Sequence, residues 1–246
     1  MLVMKPSDKL TISLIEAINK IRDCEKRPFN LAISGGNSPV NLFTLWSGKY
    51  RDMIDWSNLR IFWVDERCVP FESPESNYGM AKTLLLDKVP VNTGNIFPVN
   101  GEADPSDEAL RYENQLLQYT SAGKFFDMVI LGIGDDGHTS SIFPGQVELL
   151  NTERIYLESV NPYSNQKRVA LTVNGILKSD IIAFYLSGDS KQNVVLSILH
   201  NKFNIINPVS EILKRAHSVN IYWDDTHNIA DLKFNSIFAY KMELYY

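Results

Sequence analysis

The chain has 246 residues, 44% of them hydrophobic and 22% charged, which suits a folded globular protein of one large domain or two small ones. Its net charge of −5 argues against nucleic acid or an anionic membrane surface as a partner, so an anionic ligand must be held by a few placed cations. With two cysteines far apart, no secretory signal pattern and no apolar run long enough to span a bilayer, we expect a cytoplasmic protein without disulfides.

The first half of the chain alternates between helical and extended patterns. Leu10, Leu14, Ile18 and Ile21 recur at helical spacing, which predicts an amphipathic helix over 8–24. The further elements are predicted from apolar runs bounded by glycine and proline. They are strands over 29–33 and 59–64, helices over 40–46, 79–88 and 106–119, and an extended segment over 95–99.

The second half continues this alternation, and no internal repeat, low-complexity run or linker interrupts it. The predicted elements are strands over 128–131, 155–160, 168–173, 181–186 and 219–223, and helices over 192–200 and 208–216. Strands that alternate with helices predict an α/β fold of three layers, in which helices flank a largely parallel sheet.

A glycine-rich loop follows the predicted strand over 128–131 and carries Asp135, Asp136 and His138. Ligands of open α/β sheets bind outside the carboxyl ends of the strands, so this loop is a candidate catalytic loop. The three side chains could bind a divalent metal ion, but no second cluster of histidine or cysteine supports that interpretation. The other interpretation is that His138 acts as a general base steadied by Asp136 or another carboxylate.

The same loop formally matches a dinucleotide-binding fingerprint through Gly132, Gly134 and Gly137. A pyrophosphate needs a loop without negative charge that opens into a long helix. Here two aspartates lie in the loop, and Pro144-Gly145 interrupts the chain shortly afterwards. The sequence therefore disfavours a dinucleotide at this position.

Other predicted strand ends also carry polar residues. The segment 34–36, Ser-Gly-Gly, precedes a helix start, where bared N–H groups and the helix dipole favour an anion. The segment 65–67, Asp-Glu-Arg, follows a strand, and the loop-rich stretch it opens is a candidate wall of the site. Arg168 and Lys191 could hold a phosphate beside the proton chemistry of His138. From the residues alone, the sequence predicts an enzyme that acts on a phosphorylated small molecule.

The remaining histidines, His200, His217 and His227, have no motif around them and are predicted to be surface or capping residues. Cys68 lies among charged residues, but no histidine stands at the spacing of a known thiol nucleophile motif. His138 is therefore the leading candidate for proton transfer.

Five segments match one known family in the family's order and cover roughly residues 30 to 225. They are Leu31–Pro39, Asp65–Pro70 with Ser73–Asn77, Leu131–Gly145, Arg168–Thr172 and Gly188–Lys191. Through them the chain resembles the 6-phosphogluconolactonase family, within the glucosamine-6-phosphate deaminase/ribose-5-phosphate isomerase-like fold. The departures are mild: Asp135 stands where glutamate is usual, and Ser140 stands where alanine is common.

The resemblance implies hydrolysis of 6-phospho-D-glucono-1,5-lactone to 6-phosphogluconate, the second step of the oxidative pentose phosphate pathway. It implies a single lactonase-like domain over 1–246, with no metal and no organic cofactor. The only partner expected is the sugar-phosphate lactone, without nucleic acid or membrane, and the protein is expected to be a monomer or a weak homodimer.

The resemblance also implies roles for individual residues. His138 would activate the attacking water, because an imidazole has an ordinary pKa of about 6.5 and can accept a proton at neutral pH. Asp65 or Asp136 would orient the imidazole or the ring hydroxyls of the substrate. Arg67 or backbone N–H groups would stabilise the tetrahedral oxyanion. The residues implied in binding the substrate and its phosphate are Ser34, Gly35, Gly36, Asn37, Gly137, Thr139, Arg168 and Lys191.

Two alternatives stay open at this point. Glucosamine-6-phosphate deaminase resembles this chain in several motifs, but that family carries a glutamate five residues after its catalytic histidine, where this chain has Phe143. A sugar-phosphate sensor without catalytic activity belongs to a different class. The presence of both His138 and Asp65 argues against a sensor, because a sensor could lose the base and keep only the phosphate anchor.

Overall fold

The computed structural model describes residues 4–36, 38–120, 123–199, 206–224 and 242–245. Within these ranges the strands are β1 Phe29–Ile33, β2 Leu59–Trp63, β3 Asp65–Arg67, β4 Ile96–Phe97, β5 Phe126–Leu131, β6 Tyr156–Val160, β7 Lys167–Leu171, β8 Ser179–Ser187, β9 Val219–Asp224 and β10 Met242–Tyr245. The helices are α1 Pro6–Lys20, α2 Ser38–Ser47, α3 Asn77–Leu84, α4 Pro105–Leu117, α5 Val147–Leu150, α6 Val173–Leu177, α7 Gln192–Leu199 and α8 Pro208–Arg215.

The larger sheet has seven described strands in the order β10-β9-β8-β5-β1-β2-β4. Every neighbouring pair in it is parallel. All residues of β1 and β5 are buried, which is the pattern of central strands covered on both faces. The predicted α/β fold, a parallel sheet flanked by helices, is thereby confirmed.

Helix α1 is an example of how the sequence produces these covering layers. Pro6 occupies its first turn, where a missing N–H costs nothing. Leu10, Leu14 and Ile18 are buried along one side of the helix, which packs against β9. A five-residue π-turn, Ile21–Glu25, continues α1 to the end of the predicted helix.

A smaller sheet accompanies the large one and was not predicted as a separate unit. Its strands run antiparallel in the order β3-β7-β6. This pairing is possible because β6 and β7 are joined by a short hairpin turn rather than by a helical crossover. Residues 65–67, expected to be a loop after β2, are the edge strand β3.

The two sheets join at Val64, between β2 and β3. The Val64 N–H donates to the Ile33 carbonyl at 3.0 Å, so it still belongs to the large sheet. Its carbonyl accepts from the Leu171 N–H at 2.7 Å, which places the same residue on the small sheet. The Tyr156 hydroxyl adds a bond to the Trp63 carbonyl at 2.7 Å. One residue therefore carries the chain from the first sheet into the second.

Several element boundaries differ from those predicted. The helix expected over 79–88 is α3 followed by a 3₁₀ turn at Leu86–Lys88, and the short helices α5 and α6 were not predicted. Helix α4 buries Tyr112 and Leu116 and packs against the small sheet. The predictions for Asn37, His200 and His227 lie outside the described residues. Among those that are described, no helix is long and apolar enough to cross a bilayer.

Candidate active site

An open cavity of about 420 Å³ lies where β1 and β5 end, beside β3 and the turn after β8. The predicted site residues that line it are Ser34, Gly35, Gly36, Asp65, Arg67, His138, Thr139, Arg168 and Lys191. Asp136 and Gly137 lie in the loop that presents His138 and do not line the cavity. The structure thus brings together residues from all five matched segments at one edge of the parallel sheet.

His138 and Asp136 form a hydrogen-bonded pair in the loop after β5. His138 Nδ1 lies 2.6 Å from Asp136 Oδ1, and the same oxygen accepts the His138 backbone N–H at 3.0 Å. A carboxylate can only accept, so Nδ1 carries the proton and Nε2 is left as the basic nitrogen of the neutral ring. The sequence left Asp65 and Asp136 open as partners of the imidazole, and the contact is made by Asp136.

The Asp136 carboxylate is held in its ionised form. Burial opposes ionisation, but hydrogen bonds from the His138 N–H and the Tyr163 hydroxyl outweigh it, so the pKa of Asp136 lies below its ordinary value. The Tyr163 hydroxyl donates to Asp136 Oδ2 at 2.8 Å, and both carboxylate oxygens are therefore occupied. An ionised Asp136 fixes the tautomer and the orientation of the imidazole.

The imidazole of His138 fits against the backbone of its own loop. A Cβ atom added at Gly134 would lie 2.0 Å from His138 Nδ1, so no side chain is possible there. The Gly134 N–H donates to the His138 carbonyl at 2.8 Å, and Gly137 makes the return turn at a positive φ of 84°. On the other side of the ring lies Phe143, with the ring centroids 4.7 Å apart. These glycines fix where the ring can sit.

Two consecutive serines follow in left-handed backbone conformations, which cost free energy for residues other than glycine. Ser140 and Ser141 have φ values of 53° and 55°. Ser140 Oγ lies within hydrogen-bond distance of the Val64 and Leu171 carbonyls, at 2.8 and 2.9 Å, at the junction of the two sheets. The strained turn is held by these bonds and directs Ser141 towards β3.

Ser141 links Asp65 to Arg168. Its hydroxyl donates to Asp65 Oδ2 at 2.5 Å and accepts from Arg168 Nη1 at 3.1 Å. The direct distance from Arg168 Nη1 to Asp65 Oδ2 is 3.9 Å. Asn77 Nδ2 donates to the Asp65 carbonyl at 2.8 Å. Asp65 therefore orients the small sheet's arginine, and no hydrogen bond joins it to His138 within the described residues.

Two arginines stand side by side in the cavity wall. Arg67 and Arg168 are direct partners in the antiparallel pairing of β3 with β7. Burial lowers the pKa of Arg168, and the neighbouring Arg67 acts in the same direction, although a guanidinium stays charged at any ordinary pH. The buried Nε atom of each lacks a hydrogen-bond partner. A pair of like charges at this position favours an anion.

Lys191 completes the positive side of the cavity from the turn after β8. Its Nζ atom pairs with Asp135 Oδ1 at 2.7 Å, and the Asp135 side chain is 80% exposed. Because Asp135 is exposed to solvent, this ion pair contributes little free energy, and Lys191 can exchange it for a bound phosphate at little cost. Asp135 therefore contacts a cation of the site rather than the histidine beside it.

The Ser34-Gly35-Gly36 segment is packed closely at the end of β1. A Cβ atom at Gly35 would lie 1.9 Å from Asn77 Oδ1, so Gly35 permits the approach of α3 to the site. Gly36 has a positive φ of 84° and precedes α2. Ser34 Oγ accepts the Gly132 N–H at 3.2 Å, and Thr139 Oγ donates to the Gly132 carbonyl at 2.7 Å. The Ser34 hydroxyl thus joins the loop after β5 to the end of β1, and the Thr139 hydroxyl closes that loop on itself.

Glu66, which the sequence did not place in the site, is buried behind it. Its carboxylate accepts the backbone N–H groups of Arg67, Asn77 and Tyr78 at 2.7 to 2.8 Å, and the Ser76 hydroxyl at 3.1 Å. Burial raises the pKa of Glu66, although these hydrogen bonds act against that rise. Glu66 ties the start of α3 to β3 and so supports Asn77.

No group of three or more His, Cys, Asp or Glu residues able to hold a metal ion occurs in the described ranges. The absence of a metal from the reaction stays a prediction. Of the metal ligands considered from the sequence, Asp136 and His138 bond to each other, and Asp135 pairs with Lys191. Burial raises the pKa of Cys68 to about 11, so its thiol is not an activated nucleophile.

Sequence reasoning missed several residues that shape this site. Ser141, Gly134 and Asn77 lie inside or beside the matched segments, so the motifs contained them without revealing their contacts. Tyr163 lies outside every matched segment, in the turn between β6 and β7. No sequence signal could have placed its hydroxyl on Asp136, because that contact depends on the hairpin of the small sheet.

A His–Asp pair and a cluster of cations lie at the carboxyl edge of a parallel α/β sheet. This combination is typical of α/β enzymes that act on anionic small molecules. The family model for glucosamine-6-phosphate isomerases/6-phosphogluconolactonase matches residues 6–223. The chain belongs to this family, and the resemblance found in the sequence is confirmed.

Individual relatives agree with this assignment. The chain is 36% identical over 171 residues to a 6-phosphogluconolactonase of Treponema pallidum, covering 68% of this chain and 71% of that protein. It is 37% identical over 172 residues to one of Haemophilus influenzae, covering 70% and 73%. The crystal structure of devB protein superposes with a TM-score of 0.78 at 31% identity, covering 94% of this chain and 98% of that one.

Proposed function

We propose that this protein hydrolyses 6-phospho-D-glucono-1,5-lactone to 6-phospho-D-gluconate. The observation that carries the proposal is the pairing of His138 with Asp136 in the same cavity as Arg67 and Arg168. A base and an anion site in one cavity are what the hydrolysis of a phosphorylated lactone requires. The relatives named 6-phosphogluconolactonase support this choice of substrate.

In the proposed mechanism His138 acts as the general base. Its Nε2 takes a proton from water as the water oxygen forms a bond to the lactone carbonyl carbon. The carbonyl oxygen becomes an oxyanion, and the imidazolium is stabilised by the ionised Asp136. When the intermediate collapses, the bond from the carbonyl carbon to the ring oxygen breaks, and the imidazolium returns its proton to that oxygen. The products are the open-chain acid and an unchanged enzyme.

Positive groups around the cavity serve the two negative charges of this reaction. We assign the phosphate to Arg168 and Lys191, with the Gly35-Gly36 turn before α2 as a further anion contact. Arg67 is assigned to the oxyanion, together with backbone N–H groups. Ser34, Asn37, Gly137 and Thr139 stay predictions as substrate contacts, and the hydroxyls of Ser34 and Thr139 are already used inside the loop.

The deaminase alternative is disfavoured by the surroundings of His138. Phe143 stands where the glucosamine-6-phosphate deaminase family carries a glutamate, and its ring is 2% exposed and packed against the imidazole. A buried phenyl ring can neither donate nor accept a proton. We therefore expect no ammonia release from glucosamine 6-phosphate.

The proposal extends to the setting of the enzyme. We take residues 1–246 to act as one domain in the cytoplasm, as a monomer or weak homodimer, without metal or organic cofactor. The two free thiols, Cys24 and Cys68, fit a reducing compartment. Size measurement in solution and metal analysis of active protein test these points.

The experiment for the proposed function compares lactone loss with and without purified protein, because the lactone also hydrolyses unaided. His138→Asn is the matched control, since it keeps a polar side chain of similar size but no base. We expect the wild-type protein to exceed the blank and the variant to lose about 10²–10⁴-fold in kcat. A wild-type rate equal to the blank, from folded protein, would refute the proposal.

A further inference from the structure

We propose that Tyr163 is a positioning residue for the catalytic pair, holding the Asp136 carboxylate that orients His138. The inference rests on the proposed function, because it assigns Tyr163 to the same proton-transfer apparatus. It concerns a residue outside the matched motif segments, on the hairpin turn between β6 and β7.

The hairpin turn presents Tyr163 in a defined way. The Asn161 N–H donates to the Gln166 carbonyl at 2.9 Å, and the Asn165 N–H donates to the Asn161 carbonyl at 2.8 Å. The side chain of Asn161 accepts the Tyr163 N–H at 2.8 Å. Asn165 adopts the left-handed conformation that closes the turn. Tyr163 is therefore fixed by backbone bonds and not by burial.

The exposure of Tyr163 makes its one side-chain hydrogen bond notable. The residue is 73% exposed, although large aromatic side chains usually bury much of their surface. Its hydroxyl nevertheless donates to Asp136 Oδ2 at 2.8 Å, across 27 positions of sequence. A hydrogen bond this exposed contributes little to folding stability. Its position on the oxygen that His138 does not use therefore indicates a role in the site.

His138 and Tyr163 bind different oxygens of the Asp136 carboxylate and do not compete for it. Oδ1 faces His138 Nδ1 at 2.6 Å, and Oδ2 faces the Tyr163 hydroxyl at 2.8 Å. Because both oxygens are hydrogen-bonded, the carboxylate cannot rotate about its Cβ–Cγ bond without losing a partner. Rotation would release Nδ1 and free the imidazole to turn away from the cavity. Tyr163 thereby restrains the base through Asp136.

Aromatic packing reinforces this arrangement. The Tyr163 ring meets Phe143 edge-on, with centroids 6.2 Å apart and an interplanar angle of 80°. Phe143 in turn packs against the His138 ring at 4.7 Å. Tyr163 thus reaches the imidazole by two routes, through the carboxylate and through Phe143. The hydroxyl and the ring can be separated by mutation.

The titratable groups around Asp136 agree with this role. They are His138 on its own loop and Tyr163 on the hairpin, while the adjacent Asp135 is turned to Lys191. The hydrogen bond to Asp136 raises the pKa of Tyr163, so the hydroxyl remains a proton donor throughout the neutral range. By drawing charge from the carboxylate, Tyr163 moderates the attraction between Asp136 and the imidazolium.

The test uses the full-length protein with Tyr163→Phe, which removes only the hydroxyl, and Tyr163→Ala, which also removes the ring. Tyr50→Phe is the matched control, because the Tyr50 hydroxyl donates to Asp8 at 2.9 Å outside the cavity. We expect Tyr163→Phe to lower kcat about 3- to 10-fold, the size of one lost hydrogen bond, with KM unchanged. The acidic limb of its pH–kcat profile should shift relative to wild type, because Asp136 loses the partner on Oδ2 and its contact with His138 Nδ1 changes.

A second readout does not depend on turnover. The protein has four histidines, so the carbon-13 signal of the His138 ring can be assigned by its loss in His138→Gln. Its titration midpoint should differ from wild type in Tyr163→Phe and stay in place in Tyr50→Phe. If the protein lacks lactonase activity but the midpoint moves, the proposed function fails and the positioning contact stands. An unmoved midpoint, or a kcat within about twofold of wild type, would overturn the inference.

Discussion

At the scale of single residues, the position of His138 depends on the lack of a side chain at Gly134. A Cβ atom there would lie 2.0 Å from Nδ1, so Gly134→Ala must displace the imidazole. We expect kcat for the lactone to fall about 10²-fold or more, because a shift of about 1 Å in a catalytic group has that cost. Steady-state kinetics against the spontaneous rate give the measurement.

Gly94→Ala is the control for this substitution. Its added Cβ would meet only Asn92 Oδ1, at an ordinary contact distance of 3.4 Å, and Gly94 does not line the cavity. It should keep the wild-type kcat. A Gly134→Ala protein that also keeps it would mean that the imidazole is not confined as described.

Lys191 offers a prediction about binding as distinct from chemistry. A phosphate contact acts on the ground state and the transition state alike, so Lys191→Ala should raise KM and leave kcat nearly unchanged. The expected cost is about 1.5–3 kcal/mol, as for a charge-assisted hydrogen bond. The variant should also discriminate less between the phosphorylated lactone and plain gluconolactone.

An exposed lysine outside the cavity serves as the comparison for Lys191. Lys82 on α3 pairs with Asp87, much as Lys191 pairs with Asp135. Lys82→Ala should leave KM for both substrates as in the wild type. If Lys191→Ala also leaves KM unchanged, the phosphate is held instead by Arg168, Arg67 and the Gly35-Gly36 turn.

At the scale of elements, Glu66 joins β3 to the start of α3. Removing its carboxylate in Glu66→Ala leaves three buried or part-buried backbone N–H groups and the Ser76 hydroxyl without their acceptor. At about 1 kcal/mol for each lost bond, we expect the free energy of unfolding to fall by about 3 kcal/mol or more. Urea unfolding measures this change. Glu72→Ala, an exposed change in the same loop, should stay within about 0.5 kcal/mol of wild type, and an equal loss in both would contradict the capping role.

The elements of the large sheet were largely predictable because their signals are local. The apolar runs of β1, β2, β5, β8 and β9 and the amphipathic pattern of α1 each lie within one short window of sequence. The small sheet was not predictable as a separate unit, because β3 is three residues long and its pairing with β7 joins residues about a hundred positions apart. Periodicity identifies a strand but does not say which sheet it enters.

The same distinction holds for the site. The glycines, His138 and the cations could be chosen from residue type and position at strand ends. The choice between Asp65 and Asp136 could not, because it depends on the turn that places Asp136 Oδ1 beside His138 Nδ1 and on the Ser141 bridge that occupies Asp65. Glu66 and Tyr163 were overlooked for the same reason, since their partners are defined only by the packing of the small sheet.

For the whole molecule, the carboxylates predict how stability depends on pH. Hydrogen bonds from the Ser57 hydroxyl and Arg22 lower the pKa of Asp55 below its ordinary value. The pKa of Asp136 is also lowered, although burial acts against this. A lowered folded-state pKa gives stability that is present above the unfolded value of about 3.9 and is lost as pH falls through the folded value. Glu66 acts with the opposite sign, because its raised pKa favours the protonated folded state.

We therefore expect the free energy of unfolding to decrease as the pH drops below about 4. Urea midpoints measured between neutral and acid pH test this expectation. Asp55→Asn, which removes one contributing group away from the cavity, should lose less stability over the same interval. An identical acid dependence in wild type and variant would show that the hydrogen bonds of Asp55 do not contribute.

The continuity of the backbone through Val64 has a consequence for how the protein moves. Its amide proton is bonded into one sheet and its carbonyl into the other, and Ser140 closes the same junction. We therefore expect the two sheets to move as one body, so that substrate enters the open cavity without a hinge between them. Deuterium uptake should be slow at the amides of Val64 and Leu171, whose hydrogen bonds join the two sheets.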